Sequence, residues 1–324
     1  MKPLLLLCSL ALTAPVVMAV TPDGKHKLVL IAGKPSHPPG MHEFRAGSIL
    51  LENCLKSVPN LVVDRHEMGW VKAEAAFADA DAVVIYADGG GKHPAVVDGH
   101  LETLRQLIAK GMGFGCMHYG VEVVANEAGK EFQEWLGGHY ENSFSCNPIW
   151  SANYTKLPEH AITRGVQPFT TEDEWYFNMR FRPAFKDGLA TADDGAAKFA
   201  PILTATPTDA TRDGPYVYPK GPYPHIQAEK GQPETMMWAI ERADGGRGFG
   251  FTGGHFHNNW GNDNVRKAVL NALAWVAKVE VPANGIESKV SDEELKANLD
   301  PKPAPKPKKT ALEMPKVFQR VAAK

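Results

Sequence analysis

Between residues 27 and 116, short apolar runs alternate with amphipathic segments, and this alternation restricts the possible folds more than any other feature of the chain. Lys27 to Ala32 is apolar beyond its first residue and stops at Gly33, the pattern of a strand buried on both faces. Glu43 to Val58 then carries Phe44, Ile49, Leu50, Leu51, Cys54, Leu55 and Val58 on a helical period. Further strands are predicted at Leu61 to Val63, Ala82 to Tyr86 and Met112 to Cys116. A helix from Pro94 to Lys110 opens on a proline where its missing N–H costs nothing. Repeated strand and helix in this order predict a parallel sheet with helices on both faces.

Beyond residue 140 the strand-like pieces shorten and are separated by Pro, Gly and Asn. Asn147 to Tyr154, Glu174 to Phe181, Ala200 to Ala205 and Met236 to Glu241 suggest an antiparallel elaboration on the sheet's edge. The sheet resumes at Gly248 to Thr252, and a closing helix runs from about Asp263 to Ala277. Past Pro282 apolar periodicity is lost. Pro301 to Pro307 reads as an extended, hydrated segment, a tether or wrapping tail.

The first residues have the layout of a secretory signal peptide: Lys2, an apolar core from Leu4 to Leu12, and Val17-Met18-Ala19 before the cleavage point. The organisation predicted is therefore a signal peptide at 1–19, one domain at 20–282 and a Pro/Lys-rich tail at 283–324. The mature chain is expected in the periplasm or secreted. Cys8 lacks the small residue that lipoprotein processing needs before it, and no other apolar run is long enough to span a membrane. With 35 basic and 37 acidic residues the charges nearly cancel, which disfavours a nucleic-acid partner. Cys54, Cys116 and Cys146, well separated and odd in number, form neither a disulfide framework nor a CxxC site. Composition leaves a homo-oligomer open.

Ligands of open α/β sheets bind beyond the carboxyl ends of the strands, and three such places are rich in histidine. His37, His42 and Glu43 follow the first strand, His118 and Tyr119 the fourth, and His255 and His257 the last. On an extended backbone His255 and His257 would face the same side, a common start to a zinc site. His37, His42 and His255 are the candidate metal ligands, with zinc the first choice of divalent ion, while His118 and His257 are candidate catalytic groups. The plainer alternative is that these imidazoles hydrogen-bond loop backbone.

Cys116 to Gly120 matches the spacing of a nucleophile elbow with His118 at the tip and Cys116 two residues early, on the strand. Without a cysteine at the tip, glutamine hydrolysis through a thioester is excluded. Glu172-Asp173-Glu174 precedes Trp175-Tyr176-Phe177, and carboxylates beside aromatic faces suit a sugar. Glu172 is accordingly a candidate catalytic carboxylate, and Glu43, Asp173, Glu174, Trp175 and Tyr119 are candidate substrate contacts. The alternative is a solvated turn leading into an aromatic core strand. Gly89 to Gly91 and Gly253-Gly254 match no nucleotide fingerprint, so no nucleotide cofactor is expected.

Four motifs, in order, resemble the ThuA-like family, named for trehalose utilisation. They are Gly33 to His37 with His42-Glu43-Phe44, Gly115 to Tyr119, Thr171 to Tyr176, and Gly248 to His257, and the resemblance spans about residues 26 to 282. It implies a three-layer α/β/α sandwich of the class I glutamine-amidotransferase-like, flavodoxin-like type. It further implies a carbohydrate partner, a disaccharide or 3-keto-glycoside, handled by metal-assisted or histidine acid/base chemistry as lyase, isomerase or hydrolase. A non-catalytic sugar-binding protein and a scaffold component of an exported complex are the alternatives. Arg45 departs from the small polar residue expected there, and a guanidinium in the pocket would narrow it.

Overall fold

The computed structural model describes residues 24–303. The strands are β1 (His26–Ala32), β2 (Leu61–His66), β3 (Ala82–Tyr86), β4 (Gly113–Met117), β5 (Gly138–His139), β6 (Trp150–Tyr154), β7 (Phe169–Asp173), β8 (Arg180–Phe181), β9 (Ala192–Asp193), β10 (Ala197–Ala205), β11 (Glu234–Arg242) and β12 (Arg247–Phe251). The α-helices are α1 (Phe44–Leu55), α2 (His100–Ile108), α3 (Lys130–Trp135), α4 (Asp209–Asp213), α5 (Pro224–Ala228), α6 (Asp263–Val276) and α7 (Asp292–Lys296).

The main sheet has the order β2-β1-β3-β4-β12-β11-β10-β9. Strands β2 through β12 in that order pair in parallel, and β12-β11-β10-β9 continue antiparallel to the edge. Period-two alternation divides the core: Leu28, Leu30, Val84 and Tyr86 pack against α1 and α6 on one face, and Val29, Ile31, Val83 and Ile85 against α2 and α3 on the other. The chain is thus a three-layer α/β/α sandwich with a mainly parallel sheet and an antiparallel extension.

Several boundaries differ from the sequence expectation. The helix anticipated from Pro94 forms as α2 only at His100, because Asp98 (φ 57°) and Gly99 (φ 81°) are left-handed. Glu174 to Phe181 is not a strand. The strand is β7, paired with β6 outside the main sheet, and the chain then runs irregularly to the two-residue β8. Packing also continues past Pro282: Ile286 is buried, its N–H donates to Asn271 Oδ1 (2.9 Å), and Arg266 Nε donates to Ser288 Oγ (2.8 Å). The signal-peptide region and residues 304–324 lie outside the described residues. Among the described residues no helix is long and apolar enough to cross a membrane.

Candidate metal centre

The ends of β1, β4 and β12 and the residue after β7 meet at the carboxyl edge of the sheet. His42 ends the loop after β1, His118 starts the turn after β4, His255 lies four residues beyond β12, and Glu174 follows β7; all four are buried. Their polar atoms converge: His42 Nε2 to His118 Nε2 is 2.9 Å, His42 Nε2 to His255 Nδ1 is 3.0 Å, and His255 Nδ1 to His118 Nε2 is 3.3 Å. Glu174 Oε2 lies 2.6 Å from His255 Nδ1 and 3.7 Å from His118 Nε2. The Tyr176 hydroxyl is 3.3 Å from His118 Nε2.

Each of these four residues is held by a partner behind it. His42 Nδ1 donates to Asp88 Oδ1 (2.7 Å), His118 Nδ1 donates to the Thr252 carbonyl (3.0 Å), and Asn147 Nδ2 donates to Glu174 Oε1 (2.9 Å). Asp173 accepts from the backbone N–H of Gly254 (2.8 Å), His255 (3.1 Å) and Phe256 (3.4 Å), which fixes the turn that presents His255. Gly89 lets the loop after β3, with Asp88, press against the β4 turn. A Cβ at Gly89 would stand 2.1 Å from the Tyr119 carbonyl oxygen.

These partners fix the protons. A carbonyl only accepts, so His118 carries its hydrogen on Nδ1, and the carboxylate of Asp88 places that of His42 on Nδ1 as well. Burial first, then the neighbouring imidazoles, pushes both rings well below the usual histidine range, so both are neutral and both Nε2 atoms are bare. Two lone pairs then face each other across 2.9 Å, with His255 Nδ1 and the Glu174 carboxylate beside them. The Tyr176 hydroxyl and one proton between His255 Nδ1 and Glu174 serve only part of this group of acceptors. A cation would satisfy them all. Three imidazoles and a carboxylate are a zinc-type donor set, tetrahedral ligand atoms around zinc stand about 3.3 Å apart, and carboxylate or carbonyl partners behind the histidines are usual. The donor set therefore fits a divalent metal.

A family model described as ThuA, trehalose utilisation, matches residues 41–276. The chain belongs to the ThuA family. Among solved structures it is similar to a putative ThuA-like protein from Bacteroides uniformis (11% identity, TM-score 0.53). It is also similar to one from Parabacteroides merdae (14% identity, TM-score 0.50). Each match covers 83% of this chain and 94% of the other, and at these identities the likeness speaks for the fold alone. Comparison with curated proteins finds no match.

Of the residues singled out in this ThuA-family sequence, His42, His118, His255 and Glu174 come together, Glu174 as a candidate ligand rather than a sugar contact. His37 stays at the mouth, 39% exposed, stacked on His42 at 3.6 Å and with Nδ1 4.0 Å from Asp88. His257 does not join. It is buried with Nε2 donating to the Leu295 carbonyl (3.0 Å): Phe256 is extended, but the extended stretch ends there and His257 opens a 3-10 turn, its side chain packed toward the segment carrying Leu295. Glu172 points outward from β7 and is exposed, since the strand's alternation turns Asp173 inward instead. Asp173 and Glu43 are engaged by the protein itself, Glu43 accepting from the N–H groups of Gly40 (2.9 Å) and Asp300 (2.9 Å). Trp175 is fully buried and donates to the Thr171 carbonyl, a core residue. Arg45 turns from the pocket toward Glu67 and the Asn298 carbonyl. Cys116 is fully buried on β4, where burial pushes its thiol well up, while His118 (φ 52°) takes the strained tip.

Two groups escaped the sequence reading. Asp88 lies two residues beyond β3 and obeys the same strand-end rule that marked the histidines. Glu122 lies beside Tyr119: a Cβ on Gly90 would be 3.4 Å from both Glu122 Oε1 and the Tyr119 hydroxyl. Burial raises the Glu122 carboxyl to about 7, opposed by a hydrogen bond from Asn142 and assisted by Glu174. Tyr119 is raised too, by burial and then by Glu122 and Asp88.

Proposed function

We propose that this chain is an exported, metal-dependent enzyme acting on a disaccharide or 3-keto-glycoside. The observation that carries the reading is the convergence of three buried imidazole nitrogens and the Glu174 carboxylate, with more lone pairs than protons. The family's description, trehalose utilisation, supports the sugar class. His42, His118, His255 and Glu174 would hold a divalent first-row ion, zinc first. Bound there, such an ion supplies Lewis-acid polarisation of a carbonyl or hydroxyl oxygen.

The chain's own groups would manage the protons. A keto group at C3 acidifies the C2–H bond, and Glu122, beside Tyr119 and with its carboxyl raised by burial to about 7, would accept that proton. The C2–H electron pair then forms the C1–C2 double bond as the C1–O bond breaks, and the leaving oxygen takes a proton back. Tyr119, kept protonated by burial, donates to a substrate oxygen. Asp88, Thr252 and Asn147 hold the ligand side chains in place.

The test is metal analysis of the purified full chain followed by turnover of 3-keto-disaccharides, beside His118→Ala and Glu174→Gln. Bound metal and turnover, both lost in the variants with folding retained, are expected. A chain that takes up no metal on reconstitution overturns the metal reading. A metal-loaded chain that binds sugars without converting them overturns the enzyme reading. For export, mass spectrometry of the native protein should find a mature N-terminus at Val20; an intact Met1 to Ala19 inside the cell is the contrary result.

A further inference from the structure

The C-terminal segment makes an unusual set of contacts with the loop that carries His42. His42 sits in the left-handed region (φ 47°), a conformation a non-glycine residue keeps only when its surroundings hold it there. Part of those surroundings comes from residues about 260 positions later in the chain. The Lys302 ammonium is buried, donates to the carbonyl oxygens of Met41 and His42 (3.1 Å to the latter), and pairs with Glu43 Oε1 at 3.1 Å. The N–H of Asp300 donates to the other Glu43 oxygen (2.9 Å), and the Asn298 carbonyl accepts from Arg45 (2.9 Å). On the opposite side, the His42 N–H donates to the His255 carbonyl (3.0 Å).

We infer that residues 298–302 are a clamp, with Lys302 its positioning residue, that holds His42 in its left-handed conformation and so presets the cluster. The sequence's hydrated tail is at this point part of the site's architecture. A lysine reaching two successive carbonyls fixes the peptide between them, and Glu43, buried like the ammonium, neutralises it. Removing the ammonium leaves Glu43 buried without its cation and frees the Met41–His42 peptide to relax toward ordinary φ. His42 Nε2 would then swing from the point shared with His118 and His255. The consequence for metal binding rests on the function proposed above, whereas the clamping of the loop does not.

Lys302→Met and Lys302→Arg in the full chain test this by two readouts. The first is amide hydrogen exchange of Gly40, Met41 and His42 in metal-free protein; the second is cobalt(II) affinity from its visible absorption. Lys302→Met should speed exchange at these amides about tenfold or more while β3, β4 and α6 stay protected. It should also weaken cobalt binding about tenfold or more. Lys302→Arg, which keeps charge and donors, should recover most of both. Unchanged exchange in Lys302→Met overturns the clamp, and faster exchange with cobalt affinity equal to the wild type overturns the presetting of the cluster by it. If the wild-type chain binds no cobalt, the metal reading falls and the exchange result alone decides the clamp. Should Lys302→Met fail to fold, Lys302→Gln, which keeps an N–H donor without charge, takes its place with the same outcomes.

Discussion

His37 (φ 59°), His42 (φ 47°) and His118 (φ 52°) all have positive φ, so strain gathers at the site histidines. Strained residues are held by their hydrogen bonds, which makes the partner of His42 a sensitive position. Asp88→Asn keeps an acceptor for Nδ1 but removes the charge that would make His42 a strong ligand for the proposed ion. Metal affinity in a competitive titration should fall about 10- to 100-fold, with the melting of metal-free protein nearly unchanged. Glu122 supplies a separate, pH-dependent signature. Its folded-state value of about 7 lies above the ordinary carboxyl value, so the folded chain binds more protons between the two. The stability it lends is complete below the ordinary value, declines as pH rises, and is gone above about 7. Glu122→Gln removes this slope. Between about pH 4 and about pH 8, the stability difference of variant over wild type, from urea unfolding, should grow by about 1–3 kcal/mol.

The elements differ in how plainly the sequence announces them. Strands β1, β3, β4 and β12 are legible because buried parallel strands are unbroken apolar runs, and the histidines are legible because they stand at strand ends. The role of Glu172-Asp173-Glu174 is not. Three adjacent carboxylates look alike until the register of β7 against β6 sends Glu172 out and Asp173 in, and that register is a tertiary fact. His257 misleads for a related reason, since the extended stretch its spacing suggests ends at Phe256 and His257 begins a 3-10 turn and bonds Leu295 instead. Asp173 shows what the element does: it ends β7 and gathers the N–H groups of the turn after β12, joining two strands that are not neighbours in the sheet. Asp173→Asn can accept fewer of these bonds and brings an N–H₂ with no acceptor. We expect a loss of about 1–3 kcal/mol in chemical denaturation, with weakened metal binding through a loosened His255.

For the whole molecule, the candidate metal centre is a cross-link between distant parts of the chain. His42, His118, Glu174 and His255 belong to four stretches spread over 213 residues between the first and last, and both layers of helices lie on the sheet whose edge they occupy. An ion bound by all four can exist only on the folded chain, so its binding energy adds to folding stability. At free metal about 100-fold above the dissociation constant, the gain is about 2.7 kcal/mol. For a domain of this size that corresponds to a rise in Tm of about 4–8 °C. Zinc added to chelator-treated wild type should produce this rise, and chelator should reverse it. His118→Ala should abolish it, because removing one ligand opens the cage while the sheet beneath is unchanged. His257→Ala should keep it, since that imidazole bonds Leu295 and not the cluster. Equal shifts in wild type and His118→Ala would place the ion elsewhere on the surface, and the shared point between the four side chains would then be no metal site.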